Sequence, residues 1–384
     1  REGYMGEYLA SVSTPKANTK ICARTSASKT RYGCWLLQEV EGKADTYNII
    51  SKDGTLMIAA TEAADGIQPA LVDAATPSGI CEWTIKEYSD KVQTEFNEAV
   101  RDEIINDFMA QYYHTASTGC VLGGGGWWGD AEMFETILDG FETTGDKKYQ
   151  TYWSKLRSNF TSRNGTNWNN NDYNDDITWM VLACIRAYKY FGTAIDLQYA
   201  RDNFDLMWER AIEPSGTLRW KERDNGCTYG SNSCINCPAI NAACYLYDIT
   251  GEQDYLDKAT ALWEAQYNTL CDKNDGHVWD SGAWDSSWTT FTVGNYWGST
   301  YNQGTMLGAC VNLYRLTGDA KYKNYADKVW DWTYNNLCSN SLANPNIIKV
   351  CQTAVGDLCG FKGILMRYCR LYAEEFDSED ILQW

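Results

Sequence analysis

The chain is poor in histidine. Among 384 residues only His114 and His277 occur. A Ser-His-Asp triad would have to use one of them, and neither neighbourhood resembles a nucleophile elbow. The H-E-x-x-H pattern and a three-histidine zinc centre are both absent, so no metal is expected. No P-loop G-x-x-x-x-G-K-[ST] is present, and no nucleotide cofactor is expected. Cations are also in the minority: 33 Lys and Arg against 51 Asp and Glu leave a net charge of −18. A chain of that sign repels a phosphate backbone, which argues against nucleic acid as a partner. Long apolar runs are missing too. Met180 to Ile185 is typical, far short of the roughly 20 residues a transmembrane helix needs.

What remains is carboxylate chemistry and aromatic recognition. The chain carries 17 Trp and 26 Tyr. Such aromatics, beside many Asp, Asn and Gly, suit a neutral polyhydroxylated ligand such as a sugar. Ring faces stack on its C–H faces while amides and carboxylates bind its hydroxyls. The alternative use of the same rings is core packing.

Fifteen cysteines point to disulfides and a secreted or cell-surface location. The N-x-[ST] sequons at Asn159 and Asn164 agree, as candidate glycosylation sites. The odd count leaves at least one thiol unpaired within the chain. Cys227, Cys234, Cys237 and Cys244 fall within 18 residues. Cys234-x-x-Cys237 has zinc-ligand spacing, but a second C-x-x-C is lacking, so local disulfides are the expectation. Cys184, Cys310 and Cys369 lie on apolar helical faces and read as buried thiols or helix staples.

The organisation is two-part, with a boundary expected at 88/89. Residues 1–88 show short alternating runs and turn signals, as in Tyr47–Ile50, Lys52-Asp53-Gly54 and Thr55–Ala59, and read as β. Tyr8-Leu9-Ala10 followed by Gly33-Cys34-Trp35-Leu36-Leu37 parallels Thr55-Leu56-Met57 followed by Cys81-Glu82-Trp83-Thr84-Ile85. This repeat resembles the unit of a ricin-type β-trefoil, although the usual Q-x-W is absent and only two units are visible.

Residues 89–384 read as helices. Ile177, Met180, Val181, Cys184, Ile185 and Tyr188 follow the i, i+3, i+4, i+7 spacing of one helical stripe. Comparable stripes lie near 96–113, 130–143, 148–160, 196–211, 239–249, 254–270, 303–316, 321–337 and 360–376. Their junctions repeat a phrase: Thr144-Gly145-Asp146-x-x-Tyr149, Thr250-Gly251-x-x-Asp254-Tyr255 and Thr317-Gly318-Asp319-x-x-Tyr322. Glycine ends one helix in the left-handed conformation, Asp caps the next, and Tyr packs in its first turns. Short turns alternating with long polar loops predict a mainly α fold, an (α/α)6 toroid with a cleft on the long-loop face, preceded by a small all-β module. The uneven spacing of the glycine markers argues against a regular solenoid.

Asp175-Asp176 follows the polar loop Trp168–Asn174 and opens a helix. Acidic residues are favoured there by the exposed amides and the helix dipole alone. Two carboxylates on the first turn also point about 100° apart, within reach of the roughly 5 Å separation of a retaining glycosidase. Their mutual repulsion would raise one pKa and divide the roles of nucleophile and proton donor. Candidate sugar-binding surface comes from two further loops. Gly123–Asp130 includes Trp127 and Trp128, and Gly294–Gly304 includes Trp297, Tyr301, Asn302 and Gln303. Tyr173 and Asn174 adjoin the aspartates.

Four blocks carry a family likeness over residues of about 95–376. They are Trp128-x-x-Ala131-Glu132-Met133-x-Glu135-x-Ile137-x-Asp139, Tyr173-Asn174-Asp175-Asp176-x-x-Trp179, Tyr301-Asn302-Gln303-Gly304 and Phe361-Lys362-Gly363-Ile364-x-x-Arg367-Tyr368. In these the chain resembles glycoside hydrolase family 76, the endo-α-1,6-mannanases. The resemblance implies an (α/α)6 barrel and a retaining mechanism with Asp175 as nucleophile and Asp176 as acid/base. It also implies an α-1,6-linked mannan or another α-mannoside glycan as substrate, with no metal or cofactor. A related fungal branch transfers glycans of GPI-anchored proteins. Where the family has G-G-I-W-W and Y-K-N stretches, this chain has Gly216-Thr217-Leu218-Arg219-Trp220 and the cysteine cluster. The family continues for about two more helices, so either the sequence is truncated at both ends or the barrel is completed differently. The rival expectation is a non-catalytic extracellular glycan-binding or assembly protein, self-associating and built on the same fold.

Overall fold

The computed structural model describes residues 8–11, 21–24, 35–44, 46–51, 54–61, 69–84, 97–116, 119–122, 126–222, 229–341, 344–348 and 360–378. The chain divides into two compact units, Arg1–Arg101 and Asp102–Trp384.

The first unit holds β1 (Tyr8–Ser11), β2 (Ile21–Arg24), β3 (Trp35–Glu39), β4 (Thr46–Ser51), β5 (Leu56–Ala59), β6 (Ala70–Asp73) and β7 (Glu82–Thr84). β1 and β2 form a hairpin. The other five make one antiparallel sheet of order β3-β4-β5-β6, with β7 on β4. Its small core is Ile58 and Leu71, packed by Trp35, Ile49, Leu56 and Trp83. The Trp83 indole donates to Ile58 O at 2.9 Å. The repeated tryptophans sit on β3 and β7, and both strands pair with β4. A trefoil unit would end each repeat in its own strand pair, so this arrangement gives the trefoil likeness no support. Gly33, Cys34 and Ile85 lie outside the described residues.

In the second unit, α1 (Glu98–Tyr112), which begins before the unit boundary, leads through the hairpin β8 (Tyr113–Ala116) and β9 (Gly119–Leu122) to nine further helices among the described residues. Five form an inner series in contact order: α2 (Gly126–Thr144), α4 (Asn174–Phe191), α6 (Ser233–Thr250), α8 (Thr300–Thr317) and α10 (Phe361–Phe376). Each of the first four is backed by its own return helix. These are α3 (Lys148–Asn164), α5 (Ala194–Ala211), α7 (Gln253–Thr269) and α9 (Ala320–Leu337). Their large core fills with Trp153, Trp168, Trp263, Tyr149, Tyr322, Phe160 and Phe204. Many of the chain's aromatics are therefore spent on helix packing.

The short turns end on glycine as the repeated phrase dictates, but of its three aspartates only Asp319 stands at an N-cap: Lys147 precedes α3, and Asp254 lies inside the first turn of α7 after Glu252. Gly192, Gly251 and Gly318 adopt φ of 64°, 69° and 70°, and their N–H groups close on Tyr188, Tyr247 and Tyr314 carbonyls. Asp319 accepts from Lys321 N at 2.9 Å to cap α9. Tyr149, Tyr255 and Tyr322 are buried as expected.

Three inner helices start earlier than periodicity suggested, at 126, 233 and 300 rather than 130, 239 and 303. Their first turns carry Gly, Trp, Cys, Asn and Pro238 instead of an apolar stripe. Those are the turns that face the site.

The long loops fold into a three-stranded sheet, β10 (Gly230–Asn232), β11 (Ser281–Trp284) and β12 (Phe291–Asn295). The hairpin β13 (Cys338–Ser341) and β14 (Asn344–Ile348) precedes α10. No helix among the described residues is long and apolar enough to cross a membrane.

The expected disulfides at the cysteine cluster are corrected. Cys234, Cys237 and Cys244 are buried free thiols, as are Cys184, Cys271, Cys310 and Cys369. Cys234, Cys237 and Cys244 lie on one helix, α6, and pack as small apolar side chains. Cys227 lies outside the described residues. Asn159 is also corrected as a glycosylation site. It is buried within α3, and its Oδ1 accepts from Arg163 Nε at 2.9 Å. Asn164 ends the same helix and is half-buried.

Candidate active site

The loop before α4 is held by one arginine. From the last turn of α5, Arg210 donates to Asn174 Oδ1 at 2.7 Å, Asn171 O at 2.7 Å and Asn169 O at 3.2 Å. The segment 219–222 clamps the other side. Tyr173 bridges Lys221, Asn174 N donates to Trp220 O at 2.9 Å, and Glu222 N donates to Asp172 O at 2.7 Å. Arg219 anchors that segment through Glu213 at 2.7 Å and Glu222 at 2.9 Å.

This frame sets the two aspartates on the first turn of α4. Asp176 Oδ2 accepts from Asn171 Nδ2 at 3.0 Å, and Asn171 Oδ1 is itself fixed by Tyr173 N at 2.9 Å. Asp175 is half-buried and its Oδ1 is shut from water with no partner. Burial first, and the neighbouring Asp176 second, push the Asp175 carboxyl up to about 7. Trp220, the Asp176 amide and Cys234 act in the opposite direction.

The remaining inner helices also bring their N-terminal residues to this point. Cys234 opens α6 against Asp175 and Asp280. Tyr301 opens α8, and its hydroxyl is pushed up by burial and by Cys234, Asp280 and Asp175. The Tyr301 ring stacks on Phe361 at the start of α10, with centroids 4.0 Å apart. Phe361 meets Trp128 of α2 at 5.8 Å and Trp297 at 6.3 Å. Trp297 is 45% exposed. On the opposite flank Tyr173 meets Trp220 edge-on at 5.2 Å, and Lys221 Nζ lies 5.0 Å from the Tyr173 centroid. The result is a carboxylate pair beside aromatic rings, with helix N-termini favouring negative charge. That is the equipment for binding a sugar and attacking its anomeric carbon.

The sequence candidates separate into two groups. Trp128, Tyr173, Trp297 and Tyr301 belong to the connected set around the aspartates. Trp127 packs edge-on into Phe160 at 5.0 Å and Trp168 at 6.0 Å instead. Asn174 is fully buried, and its Nδ2 is given to Arg219 O at 2.8 Å and Glu222 Oε1 at 3.1 Å. Gln303 is likewise buried, bonded to Val278 N at 2.6 Å and Thr333 Oγ1 at 3.1 Å. These two amides hold the scaffold and present nothing to a ligand. Asn302 is intermediate: its Nδ2 donates to Asp280 Oδ1 at 3.2 Å, and its Oδ1 is buried without a partner.

Sequence reasoning missed Trp220, Cys234 and Asp280. Asp280 is oriented by Asn302 and by Asn295 Nδ2 at 3.1 Å, and it sets a third carboxylate near Cys234 and Tyr301. The first and fourth sequence blocks meet as an ionic network. Arg367 contacts Glu132 at 3.1 Å and Glu135 at 2.8 Å, and Arg186 reaches Glu135 at 3.3 Å and Glu142 at 2.9 Å. This ties α10 to α2 and α4. Gly124, Gly126 and Gly129 do have G-x-G-x-x-G spacing, but the dinucleotide fingerprint requires a βαβ unit. Here the preceding strands β8 and β9 form an antiparallel hairpin. Gly123–Gly125 lie outside the described residues.

Residues 97–382 match glycosyl hydrolase family 76. The chain belongs to that family. As a family 76 protein it is an endo-α-1,6-mannanase-like glycoside hydrolase with the family's (α/α)6 toroid. It is 24% identical over 310 residues to the mannan endo-1,6-alpha-mannosidase of Candida albicans, covering 73% of this chain and 67% of that one. It is also 24% identical over 289 residues to a putative mannan endo-1,6-alpha-mannosidase of Schizosaccharomyces pombe, covering 69% and 62%. Among solved structures, an inactive variant of the α-1,6-mannanase of Salegentibacter sp. HEL1_6 superposes with a TM-score of 0.62. The identity is 26%, with 73% of this chain and 82% of that chain covered. That variant has two consecutive aspartates replaced by alanine and is bound to α-1,6-mannotetrose. The Lin0763 protein of Listeria innocua gives 0.64 at 25% identity, with 73% and 80% covered.

Proposed function

We propose that this family 76 protein is a secreted or cell-surface retaining enzyme that cleaves α-1,6-linked mannan, with Asp175 and Asp176 as its catalytic pair. The observation that carries the reading is the isolated placement of that pair. Asp175-Asp176 is the only run of two aspartates in the chain, and it opens α4 where α6 and α8 bring Cys234 and Tyr301. The inactive Salegentibacter variant, altered at two consecutive aspartates, supports the same assignment.

In this mechanism Asp175 attacks the anomeric carbon while Asp176 protonates the leaving glycosidic oxygen. Asp176 then takes a proton from water, or from an acceptor sugar hydroxyl, which displaces Asp175 and restores the configuration. Asn171 holds Asp176 in place, and the α4 N-terminus stabilises the attacking carboxylate. Stacking rings at Trp128, Trp297 and Tyr173 hold the flanking mannosyl units. A polymeric mannan cannot cross a membrane to an internal enzyme, which is why the location belongs to the proposal.

The test is incubation with α-1,6-, α-1,2- and α-1,3-linked mannooligosaccharides. Cleavage of the α-1,6 series alone is expected, and cleavage confined to another linkage would sink the substrate assignment. A pH dependence follows. The active pair holds one proton, and the last proton leaves near the value that Asp175 takes, about 7. kcat/KM is therefore expected to fall as pH rises through about 7, with a second fall on the acid side where both carboxyls protonate. A profile flat from pH 5 to 9 would contradict this account of the pair.

A further inference from the structure

Two buried polar atoms on segments joined by the Asn174 N to Trp220 O bond lack partners. Asp175 Oδ1 is an acceptor and Trp220 Nε1–H is a donor, and both are shut from water. A buried group left unpaired is costly, and a donor facing an acceptor is the arrangement that removes both costs. Trp220 is not free to drift. Its carbonyl accepts from Asn174 N at 2.9 Å, one residue before Asp175. Its ring packs edge-on against Tyr173 at 5.2 Å, and the next residue, Lys221, bridges Tyr173. Arg219, immediately before it, is locked by Glu213 and Glu222. The indole is thus carried on a segment stitched to the loop that carries the aspartate.

We propose that Trp220 is a positioning residue that completes a hydrogen bond from Nε1–H to Asp175 Oδ1 in the working enzyme, keeping that carboxylate ionised and aimed. This rests on Asp175 being the nucleophile. In a pair sharing one proton, a donor fixed on one member places the proton on the other. Trp220 thereby favours the pair's proton on Asp176, where departure of the leaving group requires it, against the burial and repulsion that push Asp175 up. The other groups facing Asp175 do not do this. Asp176 repels it, and Cys234 is a weak donor on α6. Burial pushes the hydroxyl of Tyr301 on α8 up, and the Asp280 and Asp175 charges are close enough to push it further, which makes it a poor acid toward Asp175. Lys221 is turned over the Tyr173 ring.

The test pairs kinetics with a spectrum that needs no substrate. Trp220→Phe keeps the ring packing and removes the donor. It should lower kcat on α-1,6-mannotetraose about tenfold and move the alkaline limb of kcat/KM to higher pH, because the ionised form has lost its donor. In the ¹⁵N-indole spectrum of the full chain, the Trp220 N–H signal, identified by its loss in Trp220→Phe, should titrate near neutral pH. That titration should vanish in Asp175→Asn. An indole signal indifferent to pH, or an alkaline limb unmoved in a folded Trp220→Phe protein, would overturn the proposal. If the wild type left α-1,6-mannosides uncut, the substrate reading would fail while the indole titration would still decide the role of Trp220.

Discussion

Asp175→Asn is expected to lower α-1,6-mannoside hydrolysis by at least about 10³-fold and, at the same time, to raise the melting temperature at pH 8. The first effect follows from deleting the nucleophile. The second follows from what the site does to that carboxylate. Its value stands at about 7 in the fold against an ordinary 3.8. Above pH 7 the group is ionised both folded and unfolded, and the fold bears the whole penalty of burying the charge beside Asp176. As pH falls through about 7 the folded state takes up a proton and the penalty shrinks; below 3.8 it is gone. The amide removes it at every pH. The gain is therefore largest at pH 8 and lost by about pH 4, with an upper bound of about 4 kcal/mol for the rise from 3.8 to about 7. Water reaching a half-buried side chain reduces that bound. Scanning calorimetry of wild type and variant at both pH values checks it. A variant less stable than wild type at pH 8 would mean that Asp175 is a structural anchor, and the functional assignment would lose its physical basis. Stability sacrificed at a site for function is a known pattern.

Arg367→Met should have the largest effect on folding. Arg367 compensates Glu132, Glu135 and Asp139, and of these Glu132 and Glu135 are well shielded, with side chains 11% and 5% exposed. Removing one partner of a buried ionic cluster leaves charges that cost about 3–5 kcal/mol. Burial already pushes Glu132 up to about 7 with the arginine in place. Without it, Glu132 should take up a proton on acidification, and the variant should recover part of its stability between pH 8 and pH 5. Urea midpoints at the two values measure this. An equal loss at both would show that the arginine acts by packing alone. Because α10 also delivers Phe361 to the Tyr301 stack, partial loss of activity is expected even where the variant folds.

The helical ring was legible because its turns are local. Gly192, Gly251 and Gly318 stand where only a left-handed residue ends a helix cheaply, and the Tyr residues that follow Gly145, Gly251 and Gly318 fill the next interface. The aspartate pair was legible because both members lie on one helical turn. Asn174, Gln303 and Asn159 misled for one reason: an amide in a polar motif looks like a ligand group, yet a buried amide must be bonded, and the scaffold bonds these three. Cys234, Cys237 and Cys244 misled because their spacing was read without the helix that puts all three in the core. Trp220, Cys234 and Asp280 were hidden because they come from separate loops and helix ends, and nothing local marks them until α4, α6 and α8 bring them together.

The central claim is that Asp175 and Asp176 cleave an α-1,6-mannosidic bond with retention. It is met most directly by ¹H NMR of α-1,6-mannotetraose in the first minutes after adding the protein, with Asp175→Asn and Asp176→Asn beside the wild type. The account predicts that the newly formed reducing end appears first as the α-anomer, and that neither variant turns over. A first product in the β configuration, or turnover undiminished in either variant, would contradict it.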